Sequence, residues 1–235
     1  MTRLPLSPLA VALAGALAGA LPGALPGVAV AQGLRLAGGG LGYAVQNDVR
    51  YLGVIHEQTG MLVGGEGQVR IGPLEVGGRG MMGTLKGGGD LSNPDRKVRF
   101  TTVWAAANVG SWLAVGAEME ARRYDSPVGV TVLQLLGGRA RLAQQLGLDG
   151  LVASVDVTYF ASAKATGIAA PTLALRAEVG TTFSPGNGPL TLRVGYRLER
   201  FDFPAGAAGT PSAGSPRLEQ ARGLVVGVGV RLGRR

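Results

Sequence analysis

Apolar and polar residues alternate with a period of two in segment after segment of this chain, from about residue 61 to the C-terminus. In LEVGGRGMMGTLK, Leu74 and Val76 fall on one parity, whereas Glu75 and Arg79 fall on the other. TLALRAEVGTTF and LTLRVGYRLER divide in the same way. Successive side chains of a β-strand point to opposite faces of a sheet. Each segment therefore predicts a strand with one apolar and one charged face.

Ten strands are predicted from this alternation and from the turn-forming residues between the segments. A tenth strand is expected within residues 33–56, because a closed barrel with both chain ends on one side has an even number of strands. Eight strands are the alternative. The nine clearer strands are predicted at 61–72, 74–86, 97–109, 112–124, 129–144, 151–163, 172–183, 190–202 and 223–232.

Short and long connections alternate between these strands. Outer-membrane β-barrels have short periplasmic turns and longer extracellular loops. The sequence therefore predicts an all-β fold, a single transmembrane antiparallel up-and-down β-barrel with its longer loops outside the cell. Tight turns are predicted at 72–73, 110–111, 147–150 and 185–188, and longer polar links at 87–96, 123–127 (RYDSP), 164–171 and 204–222.

Alternation alone does not decide which face is inside, since a soluble lipocalin-like barrel has an apolar cavity and a polar exterior. The charged face carries many residues of both signs, and a basic side chain facing lipid costs about 2 to 4 kcal/mol at mid-bilayer. We therefore expect these residues to line the lumen as a lumen charge network. Its predicted members are Glu66, Arg70, Glu75, Arg79, Arg99, Glu118, Glu120, Arg122, Arg139, Arg141, Asp156, Arg176, Glu178, Arg193, Arg197, Glu199 and Arg231.

Large side chains of both signs are expected to fill so narrow a lumen. In barrels of about eight strands the interior is just wide enough for side chains to pack it. A packed core is therefore favoured over an open aqueous pore, and structural pairing of the charges over ion selectivity. The aromatic residues are expected mainly on the apolar face and near strand ends, as in the interfacial girdles of membrane barrels.

The N-terminal residues have the features of a cleaved secretory signal peptide over residues 1–31. Arg3 supplies the positive charge, an apolar run follows, and Ala29 and Ala31 form a small-residue cleavage site. Residues 32–235 would form the barrel domain. The chain has no cysteine, which excludes disulfides and thiolate chemistry.

The chain is basic overall, with a formal net charge of +8. Its basic residues are spread singly along strands, so nucleic acid is not an expected partner. Instead, Lys86, Arg96, Lys97 and Arg123 at loop-facing strand ends are expected to meet the phosphates of outer-membrane lipid and lipopolysaccharide.

The hairpin unit MLVGGEGQVRIGPLEVGGRGMMGTL, the signal peptide and the strands that continue to the C-terminus resemble small bacterial outer-membrane β-barrel proteins. The resemblance covers about residues 33–235. It implies a porin-like fold, residence in the outer membrane of a Gram-negative cell and assembly by the barrel-assembly machinery. The chain ends in Arg234 and Arg235, whereas members of this group commonly end in an aromatic residue that the machinery reads.

No catalytic, cofactor-binding or metal site is predicted. Gly78, Gly80 and Gly83 spell GxGxxG, but this motif lies within an alternating strand and is not followed by a helix. The single histidine, His56, is predicted in a loop beside Glu57. Only a rim hydrolase, with His56 near Asp48, Asp90 or Asp95, would use it as a catalytic base.

Several functions are compatible with this sequence. A non-enzymatic barrel with a structural or surface-interaction role is favoured, supported by the filled lumen and by the small-residue loop at 204–222. The alternative is a small channel with a weak preference for anions, because the predicted lumen residues include more arginines than acids. A rim hydrolase and a soluble lipocalin-like binder are the remaining hypotheses.

Overall fold

Ten antiparallel strands make up the part of the chain that the computed structural model describes, which is residues 34–89, 93–205 and 216–233. One turn of 3-10 helix, Pro185–Asn187, lies between the eighth and ninth strands. The strands are β1 (Leu34–Tyr51), β2 (Val54–Ile71), β3 (Leu74–Lys86), β4 (Arg96–Val109), β5 (Leu113–Ser126), β6 (Gly129–Gln145), β7 (Leu151–Thr166), β8 (Leu173–Phe183), β9 (Leu190–Phe203) and β10 (Arg217–Leu232).

The sheet closes on itself because β1 pairs with β10 as well as with β2. Each strand from β2 to β9 pairs with its two neighbours in the sequence. The prediction of a ten-stranded up-and-down β-barrel is confirmed. Within the described residues, no helix is both long and apolar enough to cross a membrane.

Several strand boundaries differ from the sequence-based prediction, among them those of β2, β5, β10 and β7, which continues to Thr166. The region 33–56 forms all of β1, and β2 begins at Val54, so His56 lies in a strand and not in a loop. The link at 123–127 is reduced to the two-residue turn Pro127–Val128, because β5 continues to Ser126. The predicted loop 204–222 ends earlier, because β10 begins at Arg217.

The two ends of the barrel differ in their connections. One end, here called the terminal end, carries the start of β1, the end of β10 and the connections at 72–73, 110–112, 146–150 and 184–189. The opposite end, here called the loop end, carries the connections at 52–53, 87–95, 127–128, 167–172 and 204–216. The signal peptide predicted at 1–31 and the C-terminal pair Arg234–Arg235 lie outside the described residues.

The outer face of the barrel is apolar over most of its height. Exposed side chains such as Met82, Met119, Val194 and Val226 point outward from the strands. The charged residues predicted for the lumen point inward, with a single exception described below. This arrangement is the reverse of the lipocalin-like alternative, and it is the arrangement of a barrel whose solvent is lipid.

The lumen itself is packed, with an apolar half and a charged half. Buried apolar side chains fill the half near the loop end, among them Leu85, Val98, Leu133 and Phe203. The expectation that aromatic residues mainly face outward is wrong for several of them. Tyr43, Phe100, Trp104 and Tyr124 are buried inside the barrel. Of the five arginines that face aromatic rings in the lumen, three stack against Tyr43, Phe100 and Trp104.

Candidate functional site

All but one of the residues predicted for the lumen charge network lie on the inner face of the barrel, and the exception is Arg99. In β4 the even-numbered residues, including Phe100 and Trp104, point inward. Arg99 is therefore exposed on the outer face, where its register partner is Arg123. By the same parity Arg96, which was expected to meet lipid phosphates, points inward and lies 3.9 Å from Glu219, so that expectation is wrong. The sequence analysis assigned the aromatic residues to the lipid-facing side of each strand. In β4 this assignment exchanged the inner and outer faces, so that Arg99 was predicted inside the barrel and Phe100 and Trp104 outside it.

At mid-height the lumen is crossed by a cluster of buried ion pairs. The guanidinium group of Arg122 donates to Glu120 at 2.5 Å and to Glu199 at 2.8 Å. Arg176 reaches the same Glu120 at 2.8 Å and also donates to Glu118. These groups come from β5, β8 and β9, so they join opposite walls of the barrel across its centre.

A second cluster lies nearer the terminal end. Arg79 and Arg193 both donate to Glu66, at 3.0 and 2.8 Å. Arg193 also donates to Glu178, which accepts a further bond of 2.7 Å from Arg197. Arginines and carboxylates therefore alternate in space through the network, and each carboxylate has at least one arginine partner.

Two more pairs complete the charged half. Arg139 donates to Asp156 with both Nε and Nη2. Arg141 donates to Glu75 at 2.8 Å, and Glu75 also accepts a hydrogen bond of 3.2 Å from Nε1 of Trp104. Because a buried charge is tolerated only when it is paired and hydrogen-bonded, these contacts explain how so many ionised groups occupy the interior.

Aromatic rings support the buried arginines. The guanidinium carbon of Arg122 lies 5.2 Å from the ring centroid of Phe100 and 4.9 Å from that of Phe201. Arg139 lies 4.5 Å from the ring centroid of Trp104. Such cation–π contacts strengthen when both partners are removed from water. The inward aromatic residues therefore belong to the same network as the charges.

Sequence analysis missed a polar cluster at the loop end of the lumen. Arg217 donates to Glu219 at 2.6 Å, and Nδ2 of Asn47 lies within 3.3 Å of both Glu219 and Gln58. Gln58 donates to the carbonyl oxygen of Pro94, which holds Pro94 at the loop end of the lumen. Glu219 and Arg217 were missed because residues 204–222 were predicted as one loop. The alternation of Glu219 and Ala221 with Gln220 and Arg222 was the available signal.

The 87–95 connection is also held at its base by Asp95. Its carboxylate accepts a hydrogen bond of 2.7 Å from Nζ of Lys86 and one of 3.0 Å from the backbone N–H of Gly87. The bond from Lys86, followed by the bond from Gly87, holds the pKa of Asp95 below its usual range. The carboxylate is therefore ionised at neutral pH and anchors the connection to the end of β3.

The lumen opens at the terminal end into a cavity of about 560 Å³, here called the terminal cavity. Arg70 and Arg231 of the predicted network line it, together with Arg35, Gln68 and Thr182. Deeper in the lumen, a void of about 10 Å³ lies among Arg79, Glu118 and Arg176, and it has room for about one water molecule. The open volume therefore narrows sharply towards mid-height.

Solved structures with a similar fold include bacterial outer-membrane proteins. The outer membrane protease OmpT of Escherichia coli superposes with a TM-score of 0.57 at 7% sequence identity, over 84% of this chain and 97% of OmpT. This chain has the fold of a bacterial outer-membrane β-barrel protein. No protein-family profile matches the sequence, and no curated protein is significantly similar to it.

Two further outer-membrane barrels align over most of their length with lower scores. The translocator domain of the autotransporter NalP of Neisseria meningitidis has a TM-score of 0.39 at 17% identity, over 95% of both chains. Ail, the attachment invasion locus protein of Yersinia pestis, has a TM-score of 0.34 at 12% identity, over 86% of this chain and 100% of Ail.

In this barrel, the residues considered for a rim hydrolase are not gathered into one site. His56 lies on the inward parity of β2, whereas Asp48 of β1 points outward and pairs with Arg222 at 3.1 Å. Asp95 is engaged by Lys86 and Gly87, and Asp90 lies outside the described residues. Among the described residues, no group of three or more histidine and acidic side chains is placed to hold a metal ion.

Proposed function

We propose that this protein is a non-enzymatic β-barrel of the bacterial outer membrane with a structural or surface-interaction role. The observation that carries the proposal is the closure of the lumen at mid-height. Arg197 and Glu120 are 0% exposed, and Glu118 is 1% exposed, although all three point into the barrel interior. A hydrated path through the lumen would leave such side chains accessible to solvent.

The closure is held by paired groups from several strands and is not a single constriction. Displacing Arg122 would break its contacts with Glu120 and Glu199 and its stacking on Phe100 and Phe201. Separating a buried ion pair by removing one partner costs about 3 to 5 kcal/mol. We therefore propose that the barrel is closed to ions at rest and acts through its surfaces.

The outer surface supports residence in the outer membrane, with the terminal end towards the periplasm. All strands present apolar side chains to the outside at mid-height, which fits the hydrocarbon region of a bilayer. The longer connections, 87–95 and 204–216, lie at the loop end and would face the cell exterior. Export through the predicted signal peptide and insertion by the barrel-assembly machinery belong to the same proposal.

Charged residues on the outer face of the strands are confined to the loop end, among the residues that the structure describes. Basic residues outnumber acidic ones in this belt, here called the basic collar. We propose that the collar meets the phosphates of outer-membrane lipid and lipopolysaccharide, which lie at this level in the outer leaflet. Its basic members are Arg50, Lys86, Lys97, Arg99, Arg123, Lys164, Arg200 and Arg222, and its acidic members are Asp48, Glu57, Asp125 and Asp202.

Planar-bilayer recording tests the proposal. The refolded full-length protein, checked for insertion by its heat-dependent gel mobility, is expected to give no sustained conductance steps. A variant that removes one side of the closure, Arg122→Ala with Glu199→Ala, serves as the positive control and should conduct. Sustained steps from the unaltered protein would contradict closure.

The same recording distinguishes the channel alternative. If the unaltered protein conducts and its preference for anions falls when Arg139 and Arg141 are replaced by glutamine, the protein is a small anion-preferring channel. Both side chains line the terminal cavity, where any ion path from that end would begin.

A further inference from the structure

We propose that the terminal cavity is a binding site for a small multivalent oxyanion, that is, a soluble molecule with several phosphate or carboxylate groups. This inference goes beyond a structural or surface role, because it assigns a ligand to the inside of the barrel. It rests on the volume of the cavity, on the charges that line it and on the placement of arginines at its mouth.

The cavity has the size of a small-molecule site. Its volume of about 560 Å³ falls within the range of about 300 to 1,000 Å³ that is usual for ligand pockets. The space exists because glycines form part of its wall. Gly39, Gly227 and Gly229 lie on the inward parity of β1 and β10 and add no side chain to the lumen, and a Cβ atom at Gly39 would lie 2.3 Å from the carbonyl oxygen of Val228.

Positive charge exceeds negative charge among the described residues that line the cavity. The acidic residues are Glu66, Glu75, Asp156 and Glu178, and each accepts hydrogen bonds from at least one lining arginine. Arginines of the wall thus compensate the acidic groups of the wall, and the lining residues together carry a net positive charge. The lining arginines are Arg35, Arg70, Arg79, Arg139, Arg141, Arg193 and Arg231.

Three of these arginines are brought together at the mouth by the strand register. Arg35 of β1 is directly opposite Arg70 of β2. Arg231 of β10 is opposite Ala37, two residues along β1 from Arg35. An anion bound at the mouth would therefore be within reach of several guanidinium groups at once, which is the arrangement that a multivalent oxyanion requires.

Arginine suits this role chemically. Its guanidinium group stays protonated at all physiological pH values, and its planar array of N–H donors matches phosphate and carboxylate oxygens in a bidentate manner. Arg70 already donates from Nε to the carbonyl oxygen of Gly72, which fixes the side chain at the mouth of the cavity. A rigidly placed guanidinium binds with a smaller entropic cost than a mobile one.

Isothermal titration of the full-length barrel, folded in a neutral detergent, tests the proposal. Tripolyphosphate and citrate are the two probes, and they distinguish phosphate from carboxylate as the preferred group. Saturable binding of either probe, weakening as salt is added, is the expected result. Arg70→Gln should weaken it about tenfold, the loss expected for one charge-assisted hydrogen bond.

Arg96→Gln is the matched control, because it removes the same charge from the inner face at the opposite end of the barrel, outside both the terminal cavity and the basic collar. It should leave binding unchanged. Ser154→Phe is a second variant, which fills the cavity without changing its charge and should abolish binding. All variants are first checked for folding by heat-dependent gel mobility.

Two results would overturn the assignment. One is the absence of saturable binding of both probes to the folded, unaltered protein. The other is an equal loss of binding in Arg70→Gln and Arg96→Gln, with binding retained in Ser154→Phe, which would place the anions outside the terminal cavity. The titration reads ligand binding alone, so its outcome is independent of whether the lumen conducts.

Discussion

Individual side chains in the lumen are stabilised by two kinds of neighbour at once. Arg122 is 4% exposed, pairs with two carboxylates and lies between the rings of Phe100 and Phe201. Burial removes the hydration of a guanidinium group, and in this position carboxylates replace its hydrogen bonds while ring faces cover its plane. The charged and aromatic residues of the interior therefore depend on one another.

Replacing Arg122 by methionine should destabilise the barrel by about 3 to 5 kcal/mol, because Glu120 and Glu199 would each lose a buried partner. Adding Glu199→Gln should restore part of the loss by removing one uncompensated charge. Urea unfolding in lipid vesicles measures both effects. Arg200→Met, which breaks an exposed pair with Asp202, is the control and should change stability little. Equal losses in Arg122→Met and Arg200→Met would contradict the role of the network.

A single glycine sets the position of Trp104. A Cβ atom at Gly77 would lie 2.2 Å from the Trp104 ring, whereas a Cβ at Gly80 would meet nothing within 4 Å. Gly77→Ala should displace the Trp104 ring from Arg139 and weaken the hydrogen bond from Trp104 to Glu75. The unfolding free energy should fall by about 1 to 3 kcal/mol. Tryptophan fluorescence and urea unfolding should both change, and both should be unaltered in Gly80→Ala. A normal spectrum and stability in Gly77→Ala would refute this packing.

At the scale of elements, strand boundaries were predicted well where the alternation was regular and less well where glycines or small residues interrupted it. β3, β6 and β8 lie within one residue of their predicted limits. In β1, Gly38–Gly40 weaken the pattern, yet these residues pair with both β2 and β10. Pairing on both sides stabilises a strand whose own propensity is low, because its backbone hydrogen bonds are supplied by its neighbours.

The β1–β2 hairpin contains the only non-glycine residue with a positive φ among the described residues, Leu52 at 51°. Gly53 follows with a φ of 78°, so both central residues of the two-residue turn are left-handed. Asparagine tolerates this conformation better than leucine does. Leu52→Asn should therefore raise the unfolding free energy by about 1 kcal/mol.

Val128→Asn provides the control for this turn. Val128 lies in the other two-residue turn of the loop end, and its φ is not positive. The two side chains are similarly exposed, Val128 at 64% and Leu52 at 65%. Both variants remove a similar apolar surface, so only the backbone conformation differs. Urea unfolding should show a gain in Leu52→Asn alone. A similar change in both variants would mean that the turn conformation is not the cause.

At the scale of the whole molecule, charge is distributed unequally on both faces of the barrel. Outside, the basic collar lies at the loop end and apolar side chains cover the remaining height. Inside, apolar side chains and the small polar cluster around Glu219 fill the loop-end half, whereas most of the arginines and the terminal cavity occupy the other half. In the proposed membrane placement, this distribution would orient the barrel with the collar at the outer leaflet.

The membrane-facing role of the outer surface predicts a dependence on depth. Leu224 and Gln220 both point outward from β10, but Leu224 lies halfway along the strand and Gln220 lies within the collar. Leu224→Arg should lower the unfolding free energy by about 2 to 4 kcal/mol, and Gln220→Arg should lower it by about 0 to 1 kcal/mol. Unfolding in lipid vesicles measures the difference. Equal costs would contradict a bilayer centred on the middle of the strands.

The sequence by itself determined the fold class, the number of strands and most of the lumen residues. A period of two is a local property, and it divides each strand into two faces without reference to any other strand. The lumen positions of Glu118, Arg176 and Arg197 follow from this division, because charge on the lipid face is costly.

Only the tertiary structure decided which face of β4 is inside, which charges pair and where space remains. Arg99 and the inward aromatic residues show that parity can be misassigned when a strand carries large side chains on both faces. Partners such as Arg122 and Glu199 are distant in sequence, and their contact depends on the register and closure of all ten strands. The terminal cavity arises because the glycines of β1 and β10 meet at the seam of the barrel, and no single strand contains that information.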